Sequence, residues 1–162
     1  MNKPLDFEVL YTAHQSSVYR LCLGYFGGNK PKADEVCQEV FIKVWKYMDT
    51  FEGKSQAGTW IYRIAVNTCL NALRSSKKSF KNVPIQDEFL SPVEHEHTDD
   101  EARLKSMYSC IEKLNPKDRT LILLVLEQEP YEKISEIMGL SENNLRVKIH
   151  RIKTKLSKCV HL

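Results

Sequence analysis

Wherever this chain carries an apolar pattern, the pattern repeats at steps of three, four and seven residues. No stretch of useful length alternates with the period of two that a strand needs. That confines the fold to packed helices. Phe7, Leu10, Tyr11, His14, Val18, Leu21, Cys22 and Tyr25 mark one face of a long helix ending near Gly27-Gly28. Pro31 suits the first turn of the next helix, whose stripe is Val36, Val40, Phe41, Val44 and Met48. A loop is expected over Thr50 to Gly58. A third helix then carries Trp60, Ile61, Ile64, Ala65, Thr68 and Ala72 to about Arg74. Three such helices close a small bundle.

The periodicity fails once, from Ser75 to Glu101, where Pro84 and Pro92 stand in a polar tract. Charge divides the chain at the same place. Residues 1–81 hold 12 Lys/Arg and 7 Asp/Glu, net +5. Residues 82–101 hold no Lys/Arg and 7 acids, net −7, and residues 102–162 return to 12 and 7, net +5. Two basic modules on either side of an acidic connector point to a polyanionic partner. The connector alone reads as a solvated, flexible linker. His95 and His97 lie in it among Glu94, Glu96, Asp99 and Asp100, but an extended segment is a poor preformed metal site.

Beyond the connector, Leu104, Met107, Ile111 and Leu114 resume the helical period. Asn115 as N-cap, Pro116 at the first position and Asp118 at the third open a helix running to about Leu126. A short helix from Tyr131 to Met138 stops at Gly139. Ser141 caps a longer basic helix over about 142–158. Short helix, tight turn and longer basic helix are the spacing of a helix-turn-helix. Leu145, Ile149, Ile152 and Leu156 share the inner face of the second helix. Asn143, Val147, His150 and Thr154 fall opposite, flanked by Arg146, Lys148, Arg151, Lys153 and Lys155. Asn and Arg early in such a helix can pair with base edges in the major groove, and later lysines meet phosphates.

At this point the chain resembles a known family. Residues 32–46 (Lys-Ala-Asp-Glu-Val-Cys-Gln-Glu-Val-Phe-Ile-Lys-Val-Trp-Lys), Phe51-Glu-Gly, Thr59-Trp-Ile-Tyr-Arg-Ile-Ala-Val-Asn67 and Leu70-Asn-Ala-Leu-Arg74 resemble conserved region 2 of the extracytoplasmic-function (ECF) group of sigma-70 family RNA polymerase sigma factors. Leu114-Asn-Pro-Lys-Asp-Arg119 and Tyr131 through Arg151 are similar to region 4. The resemblance implies an all-α chain of two small helical domains: a sigma-2 bundle at 1–76, an acidic flexible linker at 77–101, and a sigma-4 helix-turn-helix at 102–162. It implies no enzyme, catalytic residue, metal, cofactor or small-molecule substrate. Its partners would be core RNA polymerase, through the β′ and β subunits, promoter DNA and an anti-sigma factor.

Residue roles follow from the same resemblance. Asp34, Glu35, Gln38 and Glu39 fall where the family docks on the polymerase. Asp49 to Gly58 matches the loop that captures a flipped base of the −10 element. Phe51, Gly53, Lys54, Ser55, Trp60, Tyr62, Arg63, Asn67 and Arg74 are the −10 candidates. Trp60 reads more readily as a core aromatic opening the apolar stripe. The loop departs from the family pattern at Ala57-Gly58, where an aromatic and a basic residue usually stand. Ser141, Asn143, Asn144, Arg146, Val147, His150 and Arg151 match the −35 contact positions, and the linker matches the segment threading the polymerase cleft.

Two other readings compete: a stand-alone helix-turn-helix regulator, which would need a dimer, and a metal hydrolase using His95 and His97. The first lacks a heptad seam; the second lacks a base–nucleophile constellation and a phosphate-cradling glycine loop. The longest aliphatic run, Leu121 to Leu126, is too short to span a bilayer, and no secretory leader is visible. A cytoplasmic chain, monomeric when free, is the expectation. Its five cysteines, Cys22, Cys37, Cys69, Cys110 and Cys159, are expected to serve mostly as small apolar residues under reducing conditions.

Overall fold

The structure, a computed structural model, describes the backbone of residues 5–80 and 99–160, and side chains over 5–75 and 99–160. Seven α-helices stand among the described residues: α1 Phe7–Tyr25, α2 Lys30–Tyr47, α3 Ala57–Phe80, α4 Asp99–Glu112, α5 Pro116–Leu126, α6 Tyr131–Met138 and α7 Glu142–Val160. No strand occurs among them. A 3-10 turn, Met48–Thr50, extends the end of α2.

Local chemistry sets the helix ends. Asp6, Asn29 and Asn115 each accept a backbone N–H of the first turn, at 2.9, 3.1 and 2.9 Å, satisfying donors that the helix leaves free. Pro31 and Pro116 sit where no amide proton is required. Gly139 closes α6 in the left-handed conformation, φ +68°, and its N–H bonds to the Ser135 carbonyl. Two expected boundaries move. The third helix begins at Ala57, so Ala57-Gly58 form its first turn rather than the end of a loop, and it continues past Arg74 to Phe80. The next helix begins at Asp99, where Asp99, Asp100 and Glu101 lie near the positive end of its dipole and favour it. The rest of the acidic tract, with His95 and His97, lies outside the described residues.

α1, α2 and α3 form the N-terminal bundle around Val18, Leu21, Val36, Val40, Val44, Ile61 and Ala65. The C-terminal helices bury Ile111, Leu121, Leu124, Ile134, Leu145, Ile149 and Ile152. Each fully buried aliphatic side chain is worth about 1.5–3 kcal/mol. The buried residues of the two modules meet in one continuous cluster. α5 packs closely on Gly24 of α1, where a methyl group would run into the Leu123 side chain. Beside it the Tyr25 phenol donates to Thr120 Oγ1, whose own proton goes to the Pro116 carbonyl at 2.8 Å. Burial pushes the Tyr25 phenol well above its usual range, so it stays protonated.

One buried cation fastens this junction. Arg119 of α5 donates to the Tyr25 carbonyl at 2.8 Å, the Glu112 carbonyl at 2.5 Å and the Leu114 carbonyl at 3.1 Å. Tyr25 and Glu112 are the last residues of α1 and α4, whose carbonyls have no intrahelical partner. A guanidinium there also meets the negative ends of two helix dipoles. At the rim, Arg20 forms a two-point pair with Glu127, both bonds 2.8 Å, carrying α1 across to the end of α5.

The cysteine expectation holds for three of five. Cys22, Cys37 and Cys69 are buried free thiols. Cys110 and Cys159 instead form a disulfide between α4 and α7, across 49 residues of sequence. No cysteine is near another in sequence, so only the packing of the last helix on the first helix of its module brings them together.

Candidate nucleic-acid and polymerase interfaces

The first face is the outside of α2. Packing of Val36, Val40 and Val44 inward leaves Asp34, Glu35, Gln38 and Glu39 exposed. Glu35 and Glu39 each lie near a lysine of their own helix, Lys32 at 3.7 Å and Lys43 at 3.6 Å. Such pairs near the surface contribute little to stability. The same face continues into residues that sequence reasoning missed. Ile42 is 64% exposed and Trp45 65%. Both occur within the matched segment, four and seven residues after Gln38, and neither belongs to the apolar stripe that the helical period selects.

The second face is the segment between α2 and α3. Gly53 takes φ +74°, and Lys54 pairs with Glu52 at 2.9 Å on the surface. Phe51 and Trp60 are half-buried with ring centroids 5.1 Å apart, so Trp60 serves the packing and still shows an edge. Tyr62 is buried, 4% exposed, and does not offer its ring here. Burial pushes its phenol up to about 12. Arg63, Asn67 and Arg74 are exposed along α3. Gly53, Lys54, Ser55, Gln56 and Thr59, with Pro130, Glu132, Lys133 and Glu136 opposite, line an open cavity of about 490 Å³. Thr59 Oγ1 is buried there without a protein hydrogen-bond partner. Arg63 donates to the Glu136 carbonyl at 2.9 Å, which fixes α6 over this surface. His14 packs against Gly58. Burial, helped by Lys133, lowers its pKa, so it is neutral near pH 7.

The third face is α7. Leu145, Ile149 and Ile152 are buried, while Asn143, Asn144, Arg146, Val147, His150 and Arg151 are exposed together. Val147 is 52% exposed, an apolar residue turned outward in the middle of a polar surface. Ser141 Oγ caps the helix through the Asn144 N–H at 3.3 Å. Arg146 lies 3.8 Å from Glu142, both exposed. Among the described residues no group of His, Cys, Asp or Glu could hold a metal ion, and no helix is long and apolar enough to cross a membrane.

Among the described residues, seven helices form a bundle and a helix-turn-helix, which define a two-module, all-α protein. Comparison with known proteins narrows this. The family model for Sigma-70 region 2 matches residues 10–79, and that for Sigma-70, region 4 matches residues 104–156. The ECF RNA polymerase sigma-E factor of Haemophilus influenzae is 32% identical, covering 90% of this chain and 82% of its own length. That of Escherichia coli is 30% identical, covering 90% and 81%. The sigma factor RpoE of Bartonella quintana, solved in complex with the anti-sigma factor NepR, shares the fold with a TM-score of 0.75 at 19% identity, covering 97% of this chain and 98% of that one. The chain belongs to the ECF group of the sigma-70 family. It is a sigma factor that directs promoter-specific transcription initiation, in a family of non-catalytic transcription regulators.

Proposed function

We propose that the three faces divide the work of initiation. The α2 face, Asp34, Glu35, Gln38, Glu39, Ile42 and Trp45, docks on core RNA polymerase. The loop and α3, with Phe51, Gly53, Lys54, Ser55, Trp60, Arg63, Asn67 and Arg74, hold the opened −10 strand. The exposed face of α7 reads the −35 duplex. The N-terminal module is the sigma-2 unit, the C-terminal module the sigma-4 unit, and the acidic tract between them occupies the polymerase cleft. The cavity beside Thr59 is large enough for a base, and α6 must leave it before a flipped base enters. The compact arrangement is therefore the unengaged form. An anti-sigma partner would act by holding it.

The observation that carries this reading is the exposed Trp45 and Ile42 beside an amide and two carboxylates. A large aromatic left in water with a polar rim is the make-up of a protein-binding hot spot. Alanine at both Gln38 and Glu39 should weaken core-polymerase binding at least tenfold, about 1.4 kcal/mol, with helicity unchanged because neither side chain enters the core. Titration against fluorescently labelled core, with circular dichroism of the same variant, checks it. Unchanged affinity removes this face from the interface; a large loss of helicity makes the two residues structural.

A further inference from the structure

Two of the five cysteines stand apart. Cys22, Cys37 and Cys69 are sealed in the N-terminal bundle, with the Cys22 and Cys69 sulfurs 3.7 Å apart and still reduced. Burial pushes the Cys37 thiol up to about 12. Cys69 is raised by its contact with Cys22 and by burial. These are inert thiols. Cys110 and Cys159 are bonded, their Cα atoms 5.9 Å apart, within the ordinary range for a bridge. Cys159 is half-buried at the outer end of α7, where a small molecule can reach it.

The position of the bond says what it controls. α7 is held to its module by Leu145, Ile149, Ile152 and, partly, Leu156. Beyond Leu156 the last turn, 157–160, is exposed except for Cys159. The bond therefore anchors the end of the DNA-reading helix to α4. A chain that works on DNA, as proposed above, does so where thiols are kept reduced, and a disulfide there is conditional rather than permanent.

We infer that Cys110 and Cys159 form a reversible thiol–disulfide site that sets how firmly the −35-reading helix is held. A low-molecular-weight disulfide, RSSR, supplies the oxidising equivalents. The Cys159 thiolate attacks one sulfur of RSSR and releases RSH, leaving a mixed disulfide on Cys159. The Cys110 thiolate then attacks the Cys159 sulfur and releases the second RSH. Two protein thiols lose two electrons and two protons, and RSSR becomes two RSH. Oxidation pins α7; reduction frees its last turn and weakens sigma-4.

The test uses the full chain equilibrated in buffers of stepped glutathione to glutathione-disulfide ratio, with free thiols blocked and counted by mass. Two thiols should disappear across that range, mapped to Cys110 and Cys159, while Cys22, Cys37 and Cys69 remain. The melting temperature should fall by about 5–15 °C on reduction. Cys159→Ser, folded by circular dichroism, should melt at one temperature in every buffer. A bond that never forms, one that survives excess glutathione, a melting temperature indifferent to its state, or a Cys159→Ser variant that still responds would each overturn the inference. Run-off transcription with core polymerase should fall several-fold on reduction for the parent and stay level for Cys159→Ser. Activity unchanged by reduction of the parent overturns the control of reading. No activity in either state, with the thiol titration as expected, counts against the sigma assignment and leaves the thiol site standing.

Discussion

Alanine at Arg119 should lower the unfolding free energy by about 3 kcal/mol. Three backbone carbonyls depend on this guanidinium, and two of them are the unpaired ends of helices in different modules. A buried acceptor left without a donor costs about 1–3 kcal/mol, and hydrogen bonds to a charged group stand toward the top of the range. Arg119 is only 8% exposed, so water cannot simply replace it. Burial lowers the Arg119 pKa from its ordinary value, yet an arginine keeps its charge throughout the neutral range. Lysine at 119 should recover part of the loss, because an ammonium reaches some of these carbonyls without the planar fork that reaches all three. Urea unfolding followed by circular dichroism measures both variants. A loss below about 1 kcal/mol for the alanine variant would mean that the junction does not rest on Arg119.

A second large effect is expected at α7. Arg146→Ala and Arg151→Ala should each cost about 1–3 kcal/mol at the affected base of the −35 element and change the order of preference among substituted elements. Both arginines are exposed in the first half or middle of α7 and flank its outward face, and the Glu142 partner of Arg146 makes a weak surface ion pair that DNA can displace. Lys155→Ala should instead weaken all sequences alike and reduce the logarithmic salt slope by about one, as loss of one phosphate contact does. Transcription from a panel of promoters with substituted −35 elements, repeated at several salt concentrations, separates the two. If both arginine variants keep the parental order and activity, α7 is not the reader.

Helix content was legible because each stripe has only one period that buries it. The caps were legible because Asn115, Pro116 and Gly139 each have a local chemical reason for their place. The α7 face was legible for the same cause: the apolar residues must point inward, so Arg146, Val147, His150 and Arg151 must point out. What local pattern could not convey was long-range. Arg119 sits in a quoted motif, yet its partners at Tyr25 and Glu112 come from other helices, one of them 94 residues away. The contact of Gly24 with Leu123 and the Cys110–Cys159 bond arise the same way, from packing between segments with no shared periodicity. The exposure of Ile42 and Trp45 was not legible either, since an apolar residue on a helix is usually core and only tertiary packing shows which ones remain outside. The extension of α3 to Phe80 was hidden because Lys77, Lys78 and Ser79 carry no apolar stripe, although they allow a helix already nucleated to continue.

The central claim is that this chain confers promoter choice on core RNA polymerase. Run-off transcription on a library of promoter fragments tests it directly, with core polymerase alone, core plus this chain, and core plus the chain carrying alanine at Gln38 and Glu39. Transcripts should appear only when the chain is added, start a fixed distance downstream of a shared pair of −35 and −10 sequences, and diminish with the α2 variant. Transcripts independent of the chain, or added chain that selects no common promoter sequence, would contradict the assignment.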